Sequence, residues 1–246
     1  MFFTVEFAKI FKRKFNYSYL ILVILLSILL SLKISDIASY FEVSKEVIVS
    51  DIIARLLFVT VLFVMGINYI YSYRQDYQSK VVKLLKIAKM ETRKSFSAVI
   101  SNTLYFTFYY MFILATVGMV LVIRDKDVLR NLVSSFKVNL LAYLLLVVVL
   151  LLFANLIFLL ILSIFNDTNL AIALSFLYFI GITPLAAFLK TKGITSIYID
   201  NSLDIFTNSL VKLNHSLTFS STVWFYLVAN MIAVTILIVV IRIIKK

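Results

Sequence analysis

Few residues in this 246-residue chain can make or break bonds. It has no cysteine and one histidine, His215, so a thiolate site, a cysteine nucleophile and a multi-histidine metal centre are excluded. No Gly-x-Ser-x-Gly lies near His215 and no His-Glu-x-x-His occurs, so His215 reads as a solvated loop residue. The four glycines, Gly66, Gly118, Gly181 and Gly193, are too dispersed for a phosphate-binding loop or a dinucleotide fingerprint, which need closely spaced glycines to bring backbone up to phosphate. The expectation is no catalytic residue, no metal site and no enzymatic activity on this chain. Two polar sets remain. Asn68, Asn155 and Asn230 stand inside apolar runs, where they would line a polar route or bond helix to helix. Interhelical bonds of this kind are common and worth roughly 0.6 kcal/mol on average, so the packing role is preferred. The second set is basic, with Lys80, Lys83, Lys86 and Lys89 followed by Arg93 and Lys94.

The elements that position these groups follow from composition. The chain is 63% hydrophobic and 15% charged, with a mean hydropathy of +1.05, against roughly 45–50% and about 25% in soluble domains. A chain of this size cannot bury so much apolar surface within itself. Six runs, 15–34, 52–73, 98–123, 138–165, 170–189 and 222–241, are long enough to cross a hydrocarbon core of about 30 Å. They are too long and too uniformly apolar for barrel strands, and helices satisfy every backbone group internally. The predicted fold is all-α: one polytopic transmembrane domain, 1–246, with six transmembrane helices. The first run follows four basic residues, but it is too long for a signal peptide and no small-residue cleavage site follows, so it reads as a retained helix. Ionisable groups are almost missing from the runs, which argues against an ion-driven transporter.

Lysine and arginine set orientation. With the N-terminus inside, 14 of the 24 basic residues face the cytoplasm, and the net charge of +12 divides as +10 inside and +2 outside. Both termini are then cytoplasmic, and the segment 124–137, with four basic residues, runs against the trend. The excess charge is read as topology and surface charge, not as a nucleic-acid site. Residues 1–14 form a predicted interfacial amphipathic helix, with Phe3, Phe7, Ile10 and Phe11 on one face. Residues 74–97 form a cytoplasmic loop with a short helix that either rests on anionic headgroups or docks on a partner. The loop 166–169 is very short, and Asp167 is placed to cap the next helix. Pro184 is expected to break the fifth helix. The outer loop 190–221 spaces Leu203, Phe206, Leu210, Leu213 and Leu217 as a short amphipathic helix. Span three carries a dense aromatic group, Tyr105, Phe106, Phe108, Tyr109, Tyr110 and Phe112.

This layout resembles the ABC-2-type permeases, the six-helix membrane subunits of bacterial ABC exporters. The likeness covers almost the whole chain as architecture. In that family the loop after span two carries a coupling helix seated in the ATPase. The similar positions here are Asp76, Gln78, Ser79, Lys80, Leu84, Leu85 and Arg93, with Lys94. Gln78-Ser79 stands where the family often has Gly-Thr, and Asp76 where Glu is common. The resemblance implies a permease in the bacterial plasma membrane, paired with a second copy or paralogue. Its partners would be ABC ATPase subunits, which carry the ATP and Mg, so that no cofactor is bound by this chain. It further implies a cargo of amphipathic or antimicrobial-type peptides, or other amphiphiles, with peptide resistance as one outcome. The residues also leave open a non-transporting immunity or binding protein and the substrate-capture subunit of a small-molecule importer.

Overall fold

The computed structural model describes residues 2–78, 90–136, 140–165, 167–193, 206 and 221–244. Every element among them is helical: α1 (Phe2–Lys12), α2 (Lys14–Leu32), α3 (Ile34–Phe41), α4 (Lys45–Val47), a π-helical turn (Ile48–Ile53), α5 (Ala54–Gln78), α6 (Glu91–Arg124), α7 (Lys126–Phe136), α8 (Leu140–Ile164), α9 (Thr168–Thr191) and α10 (Ser221–Ile244). Five of them, α2, α5, α6, α8 and α10, are long and apolar enough to cross a membrane. By length and composition this is a multi-pass membrane protein. The apolar stretch described in α9, Thr168–Ile182, is shorter.

The helix α8 sits at the centre, in contact with α5, α6, α9 and α10. Two-thirds of its apolar stretch (67%) is buried, against 11% for α10. A helix apolar on every side is stable either inside a bundle or against lipid. Both helices have that character, and only packing separates them. Gly66 sets the approach of α5 to α8, because a Cβ there would lie 2.7 Å from Cζ of Phe158. Phe58, Phe106, Phe158 and Tyr110 fill the interior around them. Tyr110 exchanges a 2.8 Å hydroxyl bond with Tyr143 and donates to the carbonyl of Ala54 at 3.2 Å.

The N-terminal helix α1 packs along α6. Phe3, Phe7 and Phe11 stack along it, and the rings of Phe7 and Phe11 meet Tyr105 edge-on at 6.4 and 5.0 Å. Phe3 and Phe11 keep part of their surface exposed, while Glu6, which the amphipathic pattern sets off the apolar face, is buried. The next helix, α2, leans on α6 and α5 and leaves Ile21, Leu22, Leu25 and Leu29 exposed.

Two expectations need correction. The segment 124–137, read as a loop, contains the helix α7. Asp125 starts it by accepting the Val128 N–H at 3.5 Å, and Val128 is buried. The second concerns Pro184, which does not end its helix: α9 continues through it to Thr191. A proline removes one backbone donor, and a membrane helix tolerates that loss where neighbouring groups compensate. Asp167 caps α9 as its position predicts, accepting the N–H groups of Asn169 and Leu170 at 2.7 and 3.0 Å. Of the helix predicted within 190–221, only Phe206 is described. Its ring is buried between Phe153 of α8 and Phe179 of α9.

Candidate functional site

The polar groups gather at the end of the bundle that carries the N-terminus. Asp76, in the last turns of α5, accepts Lys9 of α1 at 3.0 Å and Lys94 of α6 at 2.5 Å. Lys9 also pairs with Glu6 at 2.9 Å, one helical turn away. Burial works against the charge on Lys9, but its bonds to Glu6 and Asp76 outweigh that and hold its pKa above the usual lysine value. Beside Lys94, Ser95 accepts Arg242 from the end of α10 at 3.3 Å. One cluster therefore ties α1, α5, α6 and α10. It works because α5 and α6 run past their apolar stretches into polar turns, where opposite charges face each other.

A second chain of bonds starts at Arg13, in the extended residue between α1 and α2. Its guanidinium donates to the carbonyl and Oδ1 of Asn68 at 2.7 and 2.9 Å and to Gln75 Oε1 at 3.4 Å. Burial disfavours the charge on Arg13, while the nearby carboxylates of Asp76 and Glu6 oppose that effect. Asn16 Nδ2 meets the same Asn68 oxygen at 3.4 Å. Asn68 Nδ2 donates to Asn102 Oδ1 at 2.9 Å, Asn102 Nδ2 to Asn155 Oδ1 at 2.7 Å, and Asn155 Nδ2 to Thr103 Oγ1 at 2.9 Å. All three of these asparagines are buried. Each amide supplies what the next accepts, so the ladder crosses from α5 through α6 to α8 without orphaned groups.

Between these features lies a cleft of about 480 Å³. Arg13 and Phe15 wall one side, Ile67, Asn68, Tyr71, Arg74 and Gln75 of α5 the back, and Thr168 and Asn169 of α9 the other side. Arg74 donates to the carbonyl of Phe165, just past the end of α8, at 2.7 Å.

Asn68 and Asn155 come together through Asn102, which sequence reasoning passed over although it carries the same signal, an amide within an apolar run. Asn230 lies on α10, partly exposed and outside the ladder. Asp76 is the keystone of the ion-paired cluster, and Arg93 is exposed in the first turn of α6. Gln78 ends α5. Ser79, Lys80, Leu84 and Leu85, with the predicted coupling helix, lie outside the described residues. The described residues hold no group of three or more His, Cys, Asp or Glu suited to a metal ion. No protein-family model matches the chain, and no curated protein and no solved structure matches it either.

Proposed function

We propose that this chain is the membrane-spanning permease subunit of an ATP-driven exporter, energised by a separate ATPase that docks on the segment after α5. The observation that carries this reading is the ion-paired cluster on either side of residues 79–89. Asp76 lies in the last turn of the helix before that segment and Lys94 in the first turn of the helix after it. Their contact also holds α1, and through Ser95 the end of α10. A force applied to 79–89 would be passed to four helices at once. The sequence adds that no phosphate-binding loop is present, so the energy source belongs on another chain.

In this reading α9 also crosses the membrane, as the fifth of six spans, both termini are cytoplasmic, and the membrane is a bacterial plasma membrane. A second permease copy or a paralogue completes the pathway. Amphipathic peptides or similar amphiphiles are the cargo, which suits exposed apolar helix faces with few ionisable groups between them. The native chain has no cysteine, so single cysteines introduced at Lys12 and Ser44 report sidedness cleanly. Lys12 should label from the cytoplasm and Ser44 from outside. The Leu84→Asp, Leu85→Asp double variant tests the docking itself. It should insert normally but lose ATPase co-purification and export. ATPase binding and export at wild-type levels in that variant would remove the assignment.

A further inference from the structure

The cleft beside Arg13 and Arg74 has features that the transport reading does not use. Its two guanidiniums bond only neutral acceptors: the Asn68 carbonyl and amide oxygens and Gln75 for Arg13, the Phe165 carbonyl for Arg74. Among the described residues neither is in an ion pair. The neighbouring carboxylates are already matched, Glu6 by Lys9 and Asp76 by Lys9 and Lys94. Asp167 caps α9 from the α9 side. Two positive charges thus face one cavity with no directly paired carboxylate among the described residues, although Asp76 and Glu6 act on Arg13 from nearby, and Nε of Arg74 is buried with no partner. Guanidinium forks match the paired oxygens of phosphate, as of carboxylate, because two parallel N–H groups meet two oxygens.

The position of the cleft indicates where the phosphate comes from. Phe15 (38% exposed) and Tyr71 (52% exposed) flank it at the end of the apolar stretches, where aromatic rings mark the headgroup level. Phe15, Leu22 and Leu29 follow at heptad spacing along α2, and all three are exposed. They give an apolar strip leading away from the cleft, along which an acyl chain can lie. We propose that this cleft is a binding site for the phosphate of an anionic phospholipid, held by Arg13 and Arg74 with its chain against α2. The site requires only that the protein spans a membrane and is independent of what energises it.

The test uses the full chain released from nanodiscs of equal phosphatidylglycerol and phosphatidylcholine, read by native mass spectrometry. The wild type should retain phosphatidylglycerol in preference. Arg74→Gln keeps a donor for the Phe165 carbonyl but loses the charge, and should weaken retention by about tenfold or more, the scale of a charge-assisted phosphate contact. Asn169→Glu places a carboxylate at the rim. It should repel the lipid equally while leaving the melting temperature unchanged or raised, because an acid in the first turn favours a helix. Lys12→Gln, on the exposed surface of α1, should retain lipid as the wild type does. Equal retention of the two lipids by the wild type would overturn the site, as would losses in Lys12→Gln matching those in Arg74→Gln. Displacement of the lipid by glycerol phosphate at equal concentration would assign the cleft to a soluble phosphate and overturn the lipid assignment.

Discussion

At the end that carries the N-terminus, Asp76 meets Lys94 with only 14% and 11% of their side chains exposed. At the opposite end Lys45 of α4 meets Asp125, ahead of α7, at 2.6 Å with 40% and 28% exposed, and Lys33 meets Asp36 at 68–70%. The pairs Lys9–Asp76 and Lys45–Asp125 both join distant parts of the chain, so sequence separation does not distinguish the ends. Water does. Exposed pairs are screened and contribute little, whereas a pair held away from water is costly to break because it leaves an uncompensated charge. The two ends therefore differ in what they can do. The N-terminal end is one unit, in which four helices meet around the largely buried Asp76–Lys94 pair, beside the asparagine ladder. The opposite end is built from short pieces, α3, α4 and α7, joined by contacts that can open and reform.

The sharpest way to break this comparison is at Asp76. Its replacement by Ala leaves Lys9 and Lys94 without their shared carboxylate and should destabilise the protein by about 3 kcal/mol. Denaturation in mixed detergent micelles reads the loss directly. An effect no larger than that of a surface charge would show that the two ends are equivalent. Asn102→Ala comes next. It orphans the Asn68 amide and the Asn155 carbonyl in the bundle interior, which should cost about 2 kcal/mol, held down because interhelical bonds in membranes are individually modest. Combining it with Asp76→Ala sharpens the comparison. The two sites are connected through Arg13 and Gln75 rather than by direct contact, so near-additive losses would separate the ladder from the cluster, and strong coupling would join them.

Much of this arrangement is legible in sequence, and the exceptions share a cause. The six apolar runs coincide with α2, α5, α6, α8, α9 and α10, because length and composition are local properties. Hydropathy does not reveal that α8 is central and α10 peripheral, since both are apolar all round. The true ends of α5 and α6 extend beyond their runs because Asp76 and Lys94 neutralise each other, and a linear scan sees each only as a polar terminus. Glu6 is misplaced for the same reason: α1 is covered by α6 on a side that its own pattern leaves polar. Asp167 was legible because capping is decided within three residues. The ladder required a partner for each asparagine on another helix, and nothing local supplies that.

The smallest expected effect lies at the opposite end, and its pH dependence tells the ends apart. Asn caps a helix as well as Asp does, so Asp125→Asn keeps the start of α7 and removes only the charge facing Lys45. The hydrogen bond from Lys45 is the largest influence on Asp125 and holds its pKa below the ordinary 3.8. Its contribution is therefore present above that value and lost as pH falls through the lower folded value. Lys45 is raised above 10.5, chiefly by its bond to Asp125, so its share is complete below 10.5 and lost as pH rises through the folded value. Glu46, bonded by Asn131, is also depressed and fades in acid. Melting curves of wild type and Asp125→Asn should thus differ slightly at neutral pH and merge in strong acid. At neutral pH the shift should stay well below that of Asp76→Ala. Equal shifts at the two sites would mean that burial does not set the strength of these contacts, and the distinction between a fixed end and an adjustable one would fall with it.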